Sequence, residues 1–65
     1  MKLQVNGTQT SSSAASLSEL ITELQLTRES LVVEHNTRII RQQDWASTRL
    51  KEGDIIELLN FVGGG

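Results

Sequence analysis

With 65 residues and no cysteine, this chain has to be held folded by a packed apolar core and nothing else. A domain of that length buries only about 60% of the surface its unfolded chain exposes, so its margin of stability is small. One domain fits, and no more. The absence of cysteine also rules out disulfide staples, thiolate metal sites, iron–sulfur clusters and a cysteine nucleophile. It favours an intracellular, cytoplasmic setting over a secreted one. Where the apolar residues fall, and at what period, therefore decides the fold.

Met1 to Val5 alternates, with Met1, Leu3 and Val5 apolar and Lys2 and Gln4 polar, the pattern of a strand with one buried face. Asn6-Gly7 suits the two positive φ angles of a type I′ turn and predicts a hairpin. Its second strand, Thr8 to about Ser12, is polar and reads as an edge. A serine-rich connection leads to Ser16-Leu17-Ser18-Glu19, which fits a capping box. Behind it Leu17, Leu20, Ile21 and Leu24 form one helical stripe. A helix of about two turns is stable only when packed on a sheet.

Leu31-Val32-Val33 predicts a strand within Ser30 to Glu34. Asn36-Thr37 is a turn and Arg38-Ile39-Ile40 a short return strand. Gln42 to Ser47 predicts one helical turn with Trp45 inward, Thr48 to Leu50 a brief strand, and Glu52-Gly53-Asp54 a turn. Ile55 to Val62 is the strongest strand signal in the chain; as the most apolar strand it belongs at the centre, beside the first. The fold class is thus α+β: a mixed sheet packed on one main helix, the β-grasp arrangement. Residues 1–62 make the domain and Gly63-Gly64-Gly65 a flexible tail. The predicted core is Leu3, Val5, Leu17, Leu20, Ile21, Leu24, Ile56 and Leu58.

Six Lys/Arg against eight Asp/Glu give a net charge of −2, without the basic footprint that a nucleic-acid binder needs. The longest apolar runs are three residues, too short for a membrane span or a signal-peptide core. His35 is the one histidine; with no cysteine or second histidine beside it, it reads as a strand or surface residue and no metal site is expected. Asp44, Glu52, Asp54 and Glu57 read as solvated turn and face residues. The serines have no histidine base for nucleophilic work. No convergent catalytic set appears, so the chain is not expected to be an enzyme, nor to bind a cofactor.

The glycine tail is different. Three glycines at a given site arise by chance about three times in ten thousand at average glycine usage, and here they follow a strand directly, with no serine or tag residue between. A frayed end or a leftover linker is the plain alternative. Without Cβ atoms, Gly63 and Gly64 can thread a narrow channel, and three extended residues reach about 10 Å. The Gly65 carboxylate, ionised at neutral pH, is a poor electrophile. Adenylation would give it a leaving group that a sulfur nucleophile can displace. The tail therefore reads as the substrate of an activating enzyme. Alternation places Glu57, Leu59 and Phe61 on the face opposite Ile56 and Leu58; Leu59 and Phe61 are candidate docking residues beside the tail, with Val62, Gly63 and Gly64 entering the partner.

Asn6-Gly7, the leucine-rich helix, Asp44-Trp45, Gly53-Asp54-Ile55-Ile56-Glu57 and Phe61-Val62-Gly63-Gly64-Gly65 together resemble the ubiquitin-like ThiS family, sulfur carriers of bacterial thiamine biosynthesis, over nearly the whole chain. Arg41 stands where that family often has proline. The resemblance implies that a ThiF-like adenylyltransferase uses ATP to activate Gly65. The carboxylate then becomes a thiocarboxylate with sulfur from a donor system, and a ThiG-like thiazole synthase takes that sulfur. It also implies partner contact on the face of Leu59 and Phe61. Sulfur carriers for molybdopterin or tRNA thiolation, which are usually longer, a lysine-modifying protein, and a β-grasp adaptor with inert glycines are the competing readings.

Overall fold

The computed structural model describes residues 1–60. Its elements are β1 (Lys2–Val5), β2 (Thr8–Ser11), α1 (Leu17–Glu23), β3 (Leu31–His35), β4 (Arg38–Ile40), a 3₁₀ turn (Gln42–Asp44) and β5 (Ile55–Asn60). The sheet order is β2-β1-β5-β3-β4. β5 runs parallel to β1, with Gln4 opposite Ile55, and antiparallel to β3, from Leu31 opposite Asn60 to His35 opposite Ile56. This is the expected mixed β-grasp sheet with the last strand central and β2 at an edge. The expected continuation of β5 through Phe61 and Val62 lies outside the described residues.

Both hairpins turn through paired positive φ angles, Asn6 (49°) with Gly7 (81°) and Asn36 (49°) with Thr37 (74°). That geometry matches the twist of the strands it joins. Asn-Gly is the favoured pair for it; threonine is not, because a β-branched side chain is strained at positive φ.

α1 begins as its sequence predicts. The Ser16 hydroxyl accepts from the Glu19 N–H at 3.2 Å. The Glu19 carboxylate accepts from the Ala15 N–H at 3.2 Å, one residue earlier than the usual capping box. The first free N–H groups of the helix, those of Leu17 and Ser18, donate to Thr48 O and Trp45 O. That explains a difference from expectation: Thr48 to Leu50 is not a strand but a single bridge, Ser16 to Arg49, because its backbone is engaged by the helix start. At the other end Gln25, at φ 58°, donates to Thr22 O and Leu26 to Ile21 O, the paired bonds of a left-handed helix cap.

The core gathers Leu3, Leu17, Leu20, Ile21, Val33, Trp45 and Ile56, all essentially inaccessible, with Ala14, Leu31, Leu50 and Leu58 nearly so. Val5 and Leu24, expected in the core, are only half-buried against it; each ends its element, where neighbours cover one side. Trp45 is inward, as expected, and its indole N–H donates to Ile40 O at 2.9 Å. The Arg28 guanidinium lies 6.0 Å from the centre of its ring and donates to Thr22 Oγ1 and Ser18 O, tying the loop after α1 to the helix.

Two stability changes follow. Leu20→Ala leaves a hole under a fully buried side chain and is expected to lower unfolding free energy by about 2–5 kcal/mol in urea titration, most of what a domain this small has. Thr37→Gly removes a strained conformation and is expected to raise it by about 1 kcal/mol. A loss of stability in the glycine variant would show that the turn is not strained.

Candidate functional site

The tail grows out of β5, so the placement of that strand is the first part of the site. Its backbone is gripped from both sides by asparagines that also make the hairpin turns. On the β1 side, the Asn6 side chain accepts from the Leu58 N–H (2.7 Å) and donates to Leu58 O (3.2 Å). An amide side chain thus continues the parallel pairing beyond the end of β1. On the β3 side, Asn36 takes both backbone groups of Ile55: its N–H donates to Ile55 O at 2.8 Å and its side-chain oxygen accepts from the Ile55 N–H at 2.9 Å.

Asp54, just before β5, corrects the sequence reading. It was expected to be a solvated turn residue and is instead buried, the centre of a polar cluster. Its carboxylate accepts from the Lys51 N–H (2.8 Å) and the Asn36 side-chain amide (3.1 Å), and lies 2.8 Å from His35 Nε2. Because an ionised carboxylate only accepts, His35 must carry its proton on Nε2 here. Burial by itself would push the Asp54 carboxyl up; the hydrogen bonds from His35, Asn36 and Lys51 outweigh it and hold the pKa below the usual aspartate value. His35 is thereby used as a strand residue with a structural partner. Glu52, also read as solvated, is exposed but accepts the Lys2 N–H at 3.1 and 3.2 Å.

Among the described residues no group of three or more His, Asp or Glu side chains is placed to hold a metal. No helix among the described residues is long and apolar enough to cross a membrane.

The outer face of the sheet is the second part of the site. Leu59 is 53% exposed there, as alternation predicts. Ile55 (45%) shares its alternation on β5, and the company that the sequence did not disclose is Ile39 on β4 (69% exposed) and half-buried Val32 directly opposite Leu59. Each strand alone shows one outward aliphatic or two; only the register assembles them. The remaining predicted site residues, Phe61, Val62, Gly63, Gly64 and Gly65, lie outside the described residues.

An exposed aliphatic sheet face leading into a glycine tail on a small β-grasp body is the arrangement for which relatives are informative. The model of the ThiS family matches residues 3–65. The chain belongs to the ThiS family. It is 32% identical over 65 residues to the sulfur carrier protein ThiS of Bacillus subtilis, covering 97% of this chain and 98% of that one. It is 35% identical over 66 residues to a thiazole synthase of Paramagnetospirillum magneticum, covering all of this chain but only 20% of that protein. Among solved structures, the crystal structure of the thiamine biosynthesis protein ThiS from Geobacter metallireducens superposes with a TM-score of 0.84 at 33% identity, each chain covered fully. The solution structure from the same organism gives 0.81. Family membership and fold therefore agree with the resemblance read from the sequence.

The Asp54 cluster sets a pH dependence. A carboxyl whose folded pKa is lowered contributes stability that is complete above its unfolded value, near 3.9, and is lost as pH falls through the lower folded value. Wild-type stability should therefore drop with acidification below about pH 4. Asp54→Asn should be less stable at pH 7 by about 1–3 kcal/mol and should show a flatter acid limb in urea titrations. Parallel profiles for the two proteins would mean that Asp54 is not a stabilising charge.

Proposed function

We propose that this ThiS-family sulfur carrier works through the carboxylate of Gly65, and that thiazole formation in thiamine biosynthesis consumes the sulfur. In this reading a carboxylate oxygen of Gly65 attacks the α-phosphorus of ATP in an activating enzyme of the ThiF type, and pyrophosphate leaves. A sulfide equivalent from the donor system then attacks the carbonyl carbon of the acyl-adenylate and AMP leaves, giving a thiocarboxylate. Thiazole synthase accepts that sulfur. The chain itself is a co-substrate rather than a catalyst, binds no cofactor and acts in the cytoplasm, with ATP consumed on the partner.

The observation that carries this reading is family membership over residues 3–65, a span that includes the whole glycine tail. A thiazole synthase of which a fifth is similar to this entire chain supports that enzyme as a partner. The physical logic is division of labour. The domain supplies a rigid strand and a docking face, while Gly63 and Gly64 supply a backbone thin enough to bring a carboxylate into another protein's active site. In this reading Leu59 and Phe61 dock on the partner, and Val62 leads the glycines into it.

Deleting Gly64-Gly65 should abolish sulfur transfer in a reconstituted thiazole-forming assay without changing the urea midpoint. Adding one residue after Gly65 should do the same, because it displaces the carboxylate by about 3.5 Å. Full thiazole production by either variant would refute the tail's role. Leu59→Ser should weaken binding to the activating enzyme or the synthase with little change in thermal unfolding. A collapse of thermal stability would assign Leu59 to folding instead.

A further inference from the structure

The outward face of the sheet sets two glutamates opposite each other across β3 and β5. Glu34 on β3 and Glu57 on β5 are register partners, so they lie on the same face with Cβ atoms about 5 Å apart. Both are half-buried. Among the described residues neither makes an ion pair or accepts a hydrogen bond; His35 with Asp54 is the one ion pair there. Like charges opposed across an antiparallel pair weaken the sheet. Within the described residues the pair has no partner of opposite charge, and a cation from outside would supply one.

Their surroundings say what kind of cation. Ile39 is the register neighbour of Glu34 on its other side, and Val32 with Leu59 forms the next row along β3 and β5. Ile55 stands two residues before Glu57 on the same face. A carboxylate pair framed by aliphatic side chains is matched by an apolar protein surface with a basic side chain at its centre. A bare metal ion or a polyanion does not match it. Desolvation between the two surfaces would strengthen a charge-assisted bond from a guanidinium or ammonium to both carboxylates.

We propose that Glu34 and Glu57 are specificity determinants for the activating enzyme, receiving an Arg or Lys of its carrier-binding surface while the surrounding aliphatics meet apolar residues. This rests on the sulfur-carrier reading above. The activating enzyme is the partner because it must hold the triphosphate of ATP beside the incoming tail. Its entrance therefore bears positive potential, and a carrier of net charge −2 with its two opposed carboxylates on the docking face is steered there in the productive orientation.

The test is ATP–pyrophosphate exchange by the cognate activating enzyme as a function of carrier concentration and salt. The E34Q/E57Q protein should show a carrier KM raised about tenfold at low salt with kcat within twofold of wild type. Its KM should also have lost most of its dependence on salt. A control, E29Q/D44N, removes the same charge from exposed positions off this face and should keep the wild-type KM. Thermal unfolding of E34Q/E57Q should occur at or above the wild-type temperature. An unchanged KM in E34Q/E57Q, an equal rise in the control, or a lowered unfolding temperature would overturn the assignment while leaving the sulfur-carrier reading standing. Failure of the wild-type chain to support exchange would overturn both.

Discussion

Everything in this small domain depends on where β5 sits. It is the central strand of the five described, parallel to β1 on one side and antiparallel to β3 on the other. The parallel pair is short, and a parallel ladder is slightly weaker per residue than an antiparallel one. Asn6 compensates by adding two side-chain hydrogen bonds at Leu58, and on the β3 side Asn36 holds Ile55 with one backbone and one side-chain bond. Two residues chosen for tight turns thereby also fix the central strand in register. A one-residue slip would move Ile56 and Leu58 out of the core, and with them the hydrophobic contacts that a chain without cysteine cannot replace.

That constraint links fold to function. In the proposed function the chemistry belongs to the segment that follows β5 in sequence, and β5 is the strand held from both sides by asparagines. The aliphatics Ile39, Ile55 and Leu59 are exposed on that face at positions set by the β5 and β4 registers. Helix α1 covers the other face and is itself held by backbone carbonyls from the Trp45–Thr48 segment. The exposed aliphatics and the packed core thus occupy opposite sides of one sheet, so the outer surface can change without unfolding the domain.

Much of this was legible in the sequence, and the limits are instructive. Period-2 alternation in Met1 to Val5, the Asn-Gly pair, the Ser16 cap and the leucine stripe each encode a local structure in a few neighbouring residues, and each gave the right element. Thr48 to Leu50 misled because the helix start captured its backbone, a long-range effect that no local pattern records. Asp54 misled for the same reason: in sequence it is a turn acid, and only the fold brings His35 and Asn36 to it. The exposed aliphatic face was half visible. Leu59 followed from alternation, whereas Ile39 and Val32 join it only through strand register. The glycine tail stood out in the sequence because a run of glycines after a strong strand has few structural uses, and the role given to it rests on the proposed function.

The central claim is that the Gly65 carboxylate is the group that carries sulfur. The most direct measurement is mass spectrometry of the intact protein and its C-terminal peptide after incubation with ATP, the cognate activating enzyme and a sulfur donor. The expected result is the mass gain of one oxygen-to-sulfur exchange, confined to the peptide ending in Gly65 and dependent on ATP. An unchanged mass under conditions where thiazole is formed, or sulfur found elsewhere on the chain, would contradict it.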